Sequence, residues 1–153
     1  MSLFTVGLAS DHAGFDLKEN IAEYLLRAGY SVKDFGCYSS DSCDYPDFAH
    51  PLAESIEKGE CKMGISICFT ANGISMTLNK HMGLRSAICW NEELAELARA
   101  HNDANVCSLP AKYIDLEEAI KIVNKFLNTE FEGGRHKRRV DKITSYFKDK
   151  GCR

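Results

Sequence analysis

Four short stretches of this chain gather residue types that move protons or hold anions. Asp11-His12 stands ahead of Ala13-Gly14. This sets an acid and an imidazole beside the start of a helix, where free N–H groups and the helix dipole favour negative charge. Asp11 is equally a good N-cap and nothing more. The run from Cys68 through Thr70, Asn72 and Gly73 to Ser75 places a thiol before a second helix start. A thiol there is expected to ionise more easily than usual, and the neighbouring amides to stabilise an oxyanion. A structural cysteine at a strand end is the plainer alternative. His101-Asn102-Asp103 combines an imidazole, an amide and a carboxylate, a set suited to acid–base work near neutral pH. His101 also suits a helix C-terminus without any such role. Arg135 and Arg139 are four apart, so on a helix they share a face and match a phosphate. A solvated basic helix start is the ordinary reading of such a run, yet cations in a first turn oppose the dipole. Two loop types are excluded by spacing. A cysteine-phosphatase loop needs arginine where Ile74 stands, and a Walker loop needs a G-K-[ST] ending.

The elements that position these residues alternate strand and helix. An apolar run over 4–9 predicts a buried parallel strand. Leu17, Ile21, Tyr24 and Leu25 then form a helical stripe that ends at Gly29. A strand follows over 30–35, then a loop, and Pro46 opens a helix that Gly59 closes. Strands are expected over 63–68, 84–90 and 104–109, with helices over 73–80 and 92–100 between them. Asp115 and Glu118 form a capping box before Leu116, Ala119, Ile120, Val123 and Leu127. After Glu132-Gly133-Gly134 a last amphipathic helix, about 137–149, carries Val140, Ile143 and Phe147. Alternation throughout implies an α/β fold, with a five-stranded parallel sheet covered on both faces and a C-terminal helix. Ligands in such sheets bind beyond the carboxyl ends of the strands, where Asp11 and Cys68 fall.

Composition narrows the classes. A chain of 153 residues that is 44% hydrophobic suits one domain, 1–153, with a real core. A net charge of −3 makes nucleic acid a poor partner, and no stretch resembles a signal peptide or a membrane span. Seven cysteines, at 37, 43, 61, 68, 89, 107 and 152, include no C-x-x-C pair and no paired zinc spacing. They point to reduced thiols in the cytoplasm, with Cys89 and Cys107 as core hydrophobes.

Taken in order, Ser10-Asp11-His12-Ala13-Gly14, Asp44-Tyr45-Pro46-Asp47, Cys68-x-Thr70-x-x-Gly73-Ile74-Ser75, Asn79-Lys80, His101-Asn102-Asp103-Ala104-Asn105 and Glu132-Gly133-Gly134-Arg135-His136 resemble the ribose-5-phosphate isomerase B and galactose-6-phosphate isomerase family. The resemblance spans nearly the whole chain. It implies a Rossmann-like three-layer sandwich and a homodimer, or a tetramer of two dimers, with active sites between subunits and the last helix on the partner. It also implies aldose–ketose isomerisation through a cis-enediolate without metal or organic cofactor. By position, Cys68 would be the base and Thr70 with the following amides, Asn72 and Gly73 among them, the enediolate holder. His101 from the partner subunit would open the sugar ring, and Asp11 would relay a hydroxyl proton. His12, Arg135 and Arg139 would hold the phosphate, with Lys112 where many members have arginine. Asn102 and Ser75 would contact the substrate.

The family loop usually reads Cys-Gly-[Thr/Ser]-Gly-x-Gly, whereas Phe69 and Ala71 replace the first two glycines here. A side chain at a positive-φ position destabilises or reshapes such a loop, and Phe69 is expected to take space near the reacting carbons. Ribose 5-phosphate is the first substrate implied, and galactose or allose 6-phosphate the second. The competing classes are a phosphosugar-binding paralogue without catalysis and a flavodoxin-like nucleotide binder.

Overall fold

The computed structural model describes residues 3–151, so Cys152 lies outside the described residues. The chain runs β1 (Thr5–Ser10), a short 3-10 turn (His12–Gly14), α1 (Phe15–Arg27), β2 (Ser31–Asp34), α2 (Tyr45–Glu57), β3 (Met63–Cys68) and α3 (Asn72–Leu78). It continues through β4 (Ser86–Ile88), α4 (Glu92–Asn102), β5 (Val106–Pro110), α5 (Leu116–Asn128) and α6 (Gly134–Asp149). The five strands form one sheet in the order β2-β1-β3-β5-β4, every pair parallel.

β3 is buried at all six positions, as its unbroken apolar run predicts for a strand covered on both faces. On one face Val6, Leu8, Ile65, Ile67 and Leu109 pack with Ile21 and Leu25 of α1 and Ile122 and Phe126 of α5. On the other, Ala9, Cys68 and Val106 meet Ala49 and Leu52 of α2 and Ile74 and Leu78 of α3. This is the expected α/β sandwich. The elements after β1 and β3 lead away to opposite sides of the sheet, toward β2 and toward β4. The crevice between the carboxyl ends of β1 and β3 is therefore a topological switch point, the usual ligand position in open α/β sheets.

Several local features carry this crevice. An added Cβ at Gly14 would lie 2.7 Å from the Ile67 carbonyl oxygen. Only glycine lets the turn after β1 rest on the end of β3, which brings Asp11 beside Cys68. Lys18, fully buried, pairs with Asp34 at 2.5 Å and with Glu19 at 2.7 Å, which ties α1 to the end of β2. The Asp34 carboxylate also accepts the Gly36 N–H at 2.9 Å, so the loop after β2 starts from a fixed point. Beneath α3, four serine hydroxyls join in series: Ser66 to Ser108 at 2.6 Å, Ser108 to Ser86 at 2.7 Å, and Ser86 to Ser75 at 2.9 Å.

The cap and turn signals hold where they can be seen. Gly29 and Gly59 take positive φ after α1 and α2, and Asp115 accepts the Glu118 N–H at 2.8 Å. β4 is shorter than its apolar run of 84–90 suggests. It is an edge strand paired only to β5, and only Ser86–Ile88 keep that ladder.

Of the two residues that replace family glycines, Ala71 alone takes positive φ, at 66°. An L-residue there costs about 1–2 kcal/mol. Part of that is offset because alanine restricts the unfolded chain by about 0.4–1 kcal/mol more than glycine does. Ala71→Gly is thus expected to stabilise the fold by ~0.5–1 kcal/mol, and thermal unfolding checks this as a rise in Tm of about 1–3 °C. An unchanged or lower Tm would show that the strain is relieved elsewhere.

Candidate active site

At the switch point Asp11 is buried, and its carboxylate accepts the Gly14 N–H at 3.1 Å. The capping role is real, and it fixes the carboxylate next to Cys68. His12 Nδ1 accepts the Cys43 N–H at 3.2 Å, so the neutral ring carries its proton on Nε2 as a donor. Asp11 and His12 border a cleft of about 490 Å³ whose other wall includes Cys43, Asp44, Tyr45 and Asp47. An added Cβ at Gly73 would stand 2.3 Å from the Tyr45 ring, so that glycine lets α2 and α3 meet behind the cleft.

Cys68 is 4% exposed, at the end of β3, with the backbone amides of Ile74, Ala71 and Thr70 near its sulfur. The helix start favours the thiolate as expected, yet it does not win. Burial pushes the thiol up, the Asp11 carboxylate adds to the rise, and the amides only oppose it. The sequence expectation of an easily ionised thiol is therefore corrected. The spacing shows the helix start but not the apolar cluster in which Cys68 is buried with Ala9 and Ile74. Removing the nearby charge should bring the thiol down. In Asp11→Asn the pH of half-maximal alkylation at Cys68, followed on its peptide by mass spectrometry, is expected to move to lower pH. No movement would separate the two groups electrically.

Thr70 Oγ1 accepts the Asn72 backbone N–H at 3.3 Å and its amide Nδ2 at 3.2 Å, which leaves the hydroxyl hydrogen free to donate. Thr70 and Asn72 line a second, more apolar cleft of about 390 Å³ with Ile88, Trp90, Pro110 and Tyr113. Phe69 is half exposed, and the Lys112 ammonium sits 5.7 Å from its ring centroid. Lys112 thus reaches the same edge as Cys68, and Phe69 stands at the rim rather than inside the loop. Ser75 is expected to touch a ligand, but its hydroxyl is engaged by Ser86 and the residue is buried.

The other expected residues lie elsewhere. Cys68 pairs with Pro110 at the end of β5, whereas His101 and Asn102 precede Val106 at its beginning. The length of β5 alone puts about 13 Å between the two groups. His101 stacks on His136 with centroids 4.2 Å apart and planes at 7°. Glu132 Oε2 lies 3.9 Å from His101 Nε2 and 3.5 Å from His136 Nε2. Burial, then the charges of His101 and Arg135, pushes the His136 imidazole down. Arg135 and Arg139 are exposed on the first turns of α6. Asn102 borders a separate cleft of about 330 Å³ with Arg85 and Ile143. Asp103, by contrast, is structural. It takes φ 46° at the end of α4, and its carboxylate accepts from Arg99 at 2.8 Å and Arg85 at 3.1 Å.

Sequence reasoning passes over Lys18, and gives Glu132 and His136 no role beyond their place in a family motif. Lys18 continues the stripe of Ile21 and Leu25, a position where a buried cation shows only by its spacing. Tyr45 and Asp44 enter only through the resemblance.

Residues 6–143 match the Ribose/Galactose Isomerase family. The chain is 41% identical to ribose-5-phosphate isomerase B of Escherichia coli over 92% of its own length and 94% of that protein. It is 45% identical to the solved ribose 5-phosphate isomerase of Thermotoga maritima, with a TM-score of 0.92 and coverage of 94% and 99%. It is 43% identical to the Mycoplasma genitalium ribose-5-phosphate isomerase B solved with bound ribulose-5-phosphate, with a TM-score of 0.92 and coverage of 97% and 99%. Full-length likeness at this identity, on the same parallel sheet, places this chain in the ribose/galactose isomerase family.

Proposed function

We propose that this chain interconverts ribose 5-phosphate and ribulose 5-phosphate through a cis-enediolate, in the cytoplasm, at sites formed between two copies of the chain. One observation carries the reading: a buried thiol at the switch point, just before the start of α3, two residues from a threonine hydroxyl whose hydrogen is free to donate. A proton next to a carbonyl is acidic only if the oxyanion that forms is held, and this arrangement offers base and donors together.

In the forward direction Cys68 as thiolate takes the proton from C2 of the open-chain aldose. Thr70 and the amides of the α3 start hold the enediolate oxygens, and the proton returns to C1. Asp11 relays the hydroxyl proton between the two oxygens. His12 donates from Nε2 to the phosphate end. His101 of the partner subunit opens the furanose ring, and Asn102 beside it contacts the sugar oxygens.

Two features support a shared site. The cleft at His12 is walled by Asp11, Asp44 and Asp47 and by no lysine or arginine of its own, which is hostile to a phosphate dianion. Arg135 and Arg139, on the opposite edge, supply the missing charge once a second copy turns its α6 toward the cleft. α6 also leaves Ile143, Tyr146 and Phe147 exposed, as a helix seated on a partner would.

The test is turnover of ribose 5-phosphate by the purified protein, with galactose and allose 6-phosphates alongside and Phe69→Gly in parallel. The expected result is wild-type conversion of the pentose at about 1–10³ s⁻¹, ordinary for an enzyme. Conversion only of a six-carbon phosphate would redirect the substrate. Activity only in Phe69→Gly would mean a binder that has lost the reaction.

A further inference from the structure

Among the described residues one group of side chains outside the carboxyl-edge crevice converges as metal ligands do: His101, Glu132 and His136, whose ligand atoms all lie within 4.8 Å of one another. Three separate pieces of backbone hold them. His101 is in the last turn of α4. The Glu132 N–H donates to the Ala100 carbonyl at 3.0 Å, which pins that residue against the same turn. The His136 N–H donates to the Gly133 carbonyl at 3.0 Å, in the first turn of α6.

Ligands 2.0–2.1 Å from a tetrahedral ion stand about 3.3–3.5 Å apart. Glu132 and His136 already meet that spacing at 3.5 Å, and Glu132 and His101 exceed it only slightly at 3.9 Å. The parallel rings do not yet aim their lone pairs at one point. A turn of the His101 ring, whose side chain is 38% exposed, breaks the stack and completes the set.

We infer that His101, Glu132 and His136 form a binding site for a transition-metal dication of the zinc, cobalt or nickel kind, and that its occupation switches the enzyme off by engaging His101. Two imidazoles and one carboxylate with an open fourth position suit such ions and not magnesium or calcium, which want oxygen donors. Charge leads to the same class. Arg135 and Arg139 act on this cluster and repel any cation, so an ion held by attraction alone would not stay. One held by imidazole coordination does.

The switching half of this inference rests on the role proposed for His101, whereas binding is measured without reference to it. Metal-stripped wild-type protein is titrated with cobalt(II) chloride under a non-thiol reductant, alongside Glu132→Ala and His136→Ala. Expected are visible d–d bands that saturate at one ion per chain, no thiolate charge-transfer band, and at least tenfold weaker binding in both variants. Isomerase activity should fall in step with occupancy in wild type and resist cobalt in Glu132→Ala. A thiolate band, no saturable spectrum, or undiminished binding by the variants would overturn the site. Saturable binding with activity unchanged would overturn the switch. If no phosphosugar is turned over at all, the spectra still decide the site.

Discussion

Cys68→Ala is expected to lower kcat by at least about 10³-fold, within the range seen when a positioned base is removed. Binding of a phosphosugar product analogue should change little, because the sulfur is buried and the phosphate is assigned to other groups. The same thiol predicts the pH dependence of the wild type. Its pKa is raised, and the active form of a base is the deprotonated one. Hence kcat/KM should climb with pH and go on climbing beyond the usual thiol range of about 8.5. In kcat, which reports the bound complex, the rise should lie at still higher pH, since substrate that displaces water adds to the desolvation that is the main cause. Undiminished turnover in Cys68→Ala, or a rate flat between neutral and strongly alkaline pH, would remove the thiol from the proton path.

Two impaired proteins should restore each other at low substrate. Arg139→Ala is expected to raise KM by about 10–100-fold, since a hydrogen bond to a charged group contributes about 1.5–3 kcal/mol. Arg135→Ala should act likewise. If α6 of one copy completes the cleft of the other, a hybrid of Cys68→Ala with Arg139→Ala has one site with both defects and one with neither. Random re-pairing makes half the dimers hybrid, and half of their sites are intact. Mixing after mild dissociation should thus restore ~25% of wild-type activity at low substrate. No gain on mixing, with hybrids demonstrated by mass, would mean that each copy supplies its own arginines.

Much of this architecture is written locally. Gly29, Gly59 and Asp115 mark helix ends by conformations or bonds their neighbours do not provide, and the buried run of β3 needs no partner to be read. The carboxyl-edge residues were legible for the same reason, because each follows a strand. What escaped depends on groups far apart in sequence. The raised Cys68 thiol comes from Asp11 and the apolar neighbours packed on it, the buried Lys18 needs Asp34 at the far end of β2, and Glu132 gains meaning only against Ala100 and His101. Ala71 lay between: the family pattern flagged it, and only the backbone shows that it, and not Phe69, bears the unfavourable φ.

The serine series beneath α3 has a consequence for what Ser75 can offer. Four hydroxyls bring four hydrogens to three links, so one hydrogen is always left over. It can reside on any of the four oxygens, and rotation about C–O bonds moves it from one to the next without any proton leaving its oxygen. When Ser75 presents that spare hydrogen outward, Ser66, Ser108 and Ser86 must all donate toward it. When it is withdrawn, at least one of the buried bonds reverses. The direction of three bonds in the middle of the sheet is thereby tied to which of the four oxygens holds the spare hydrogen.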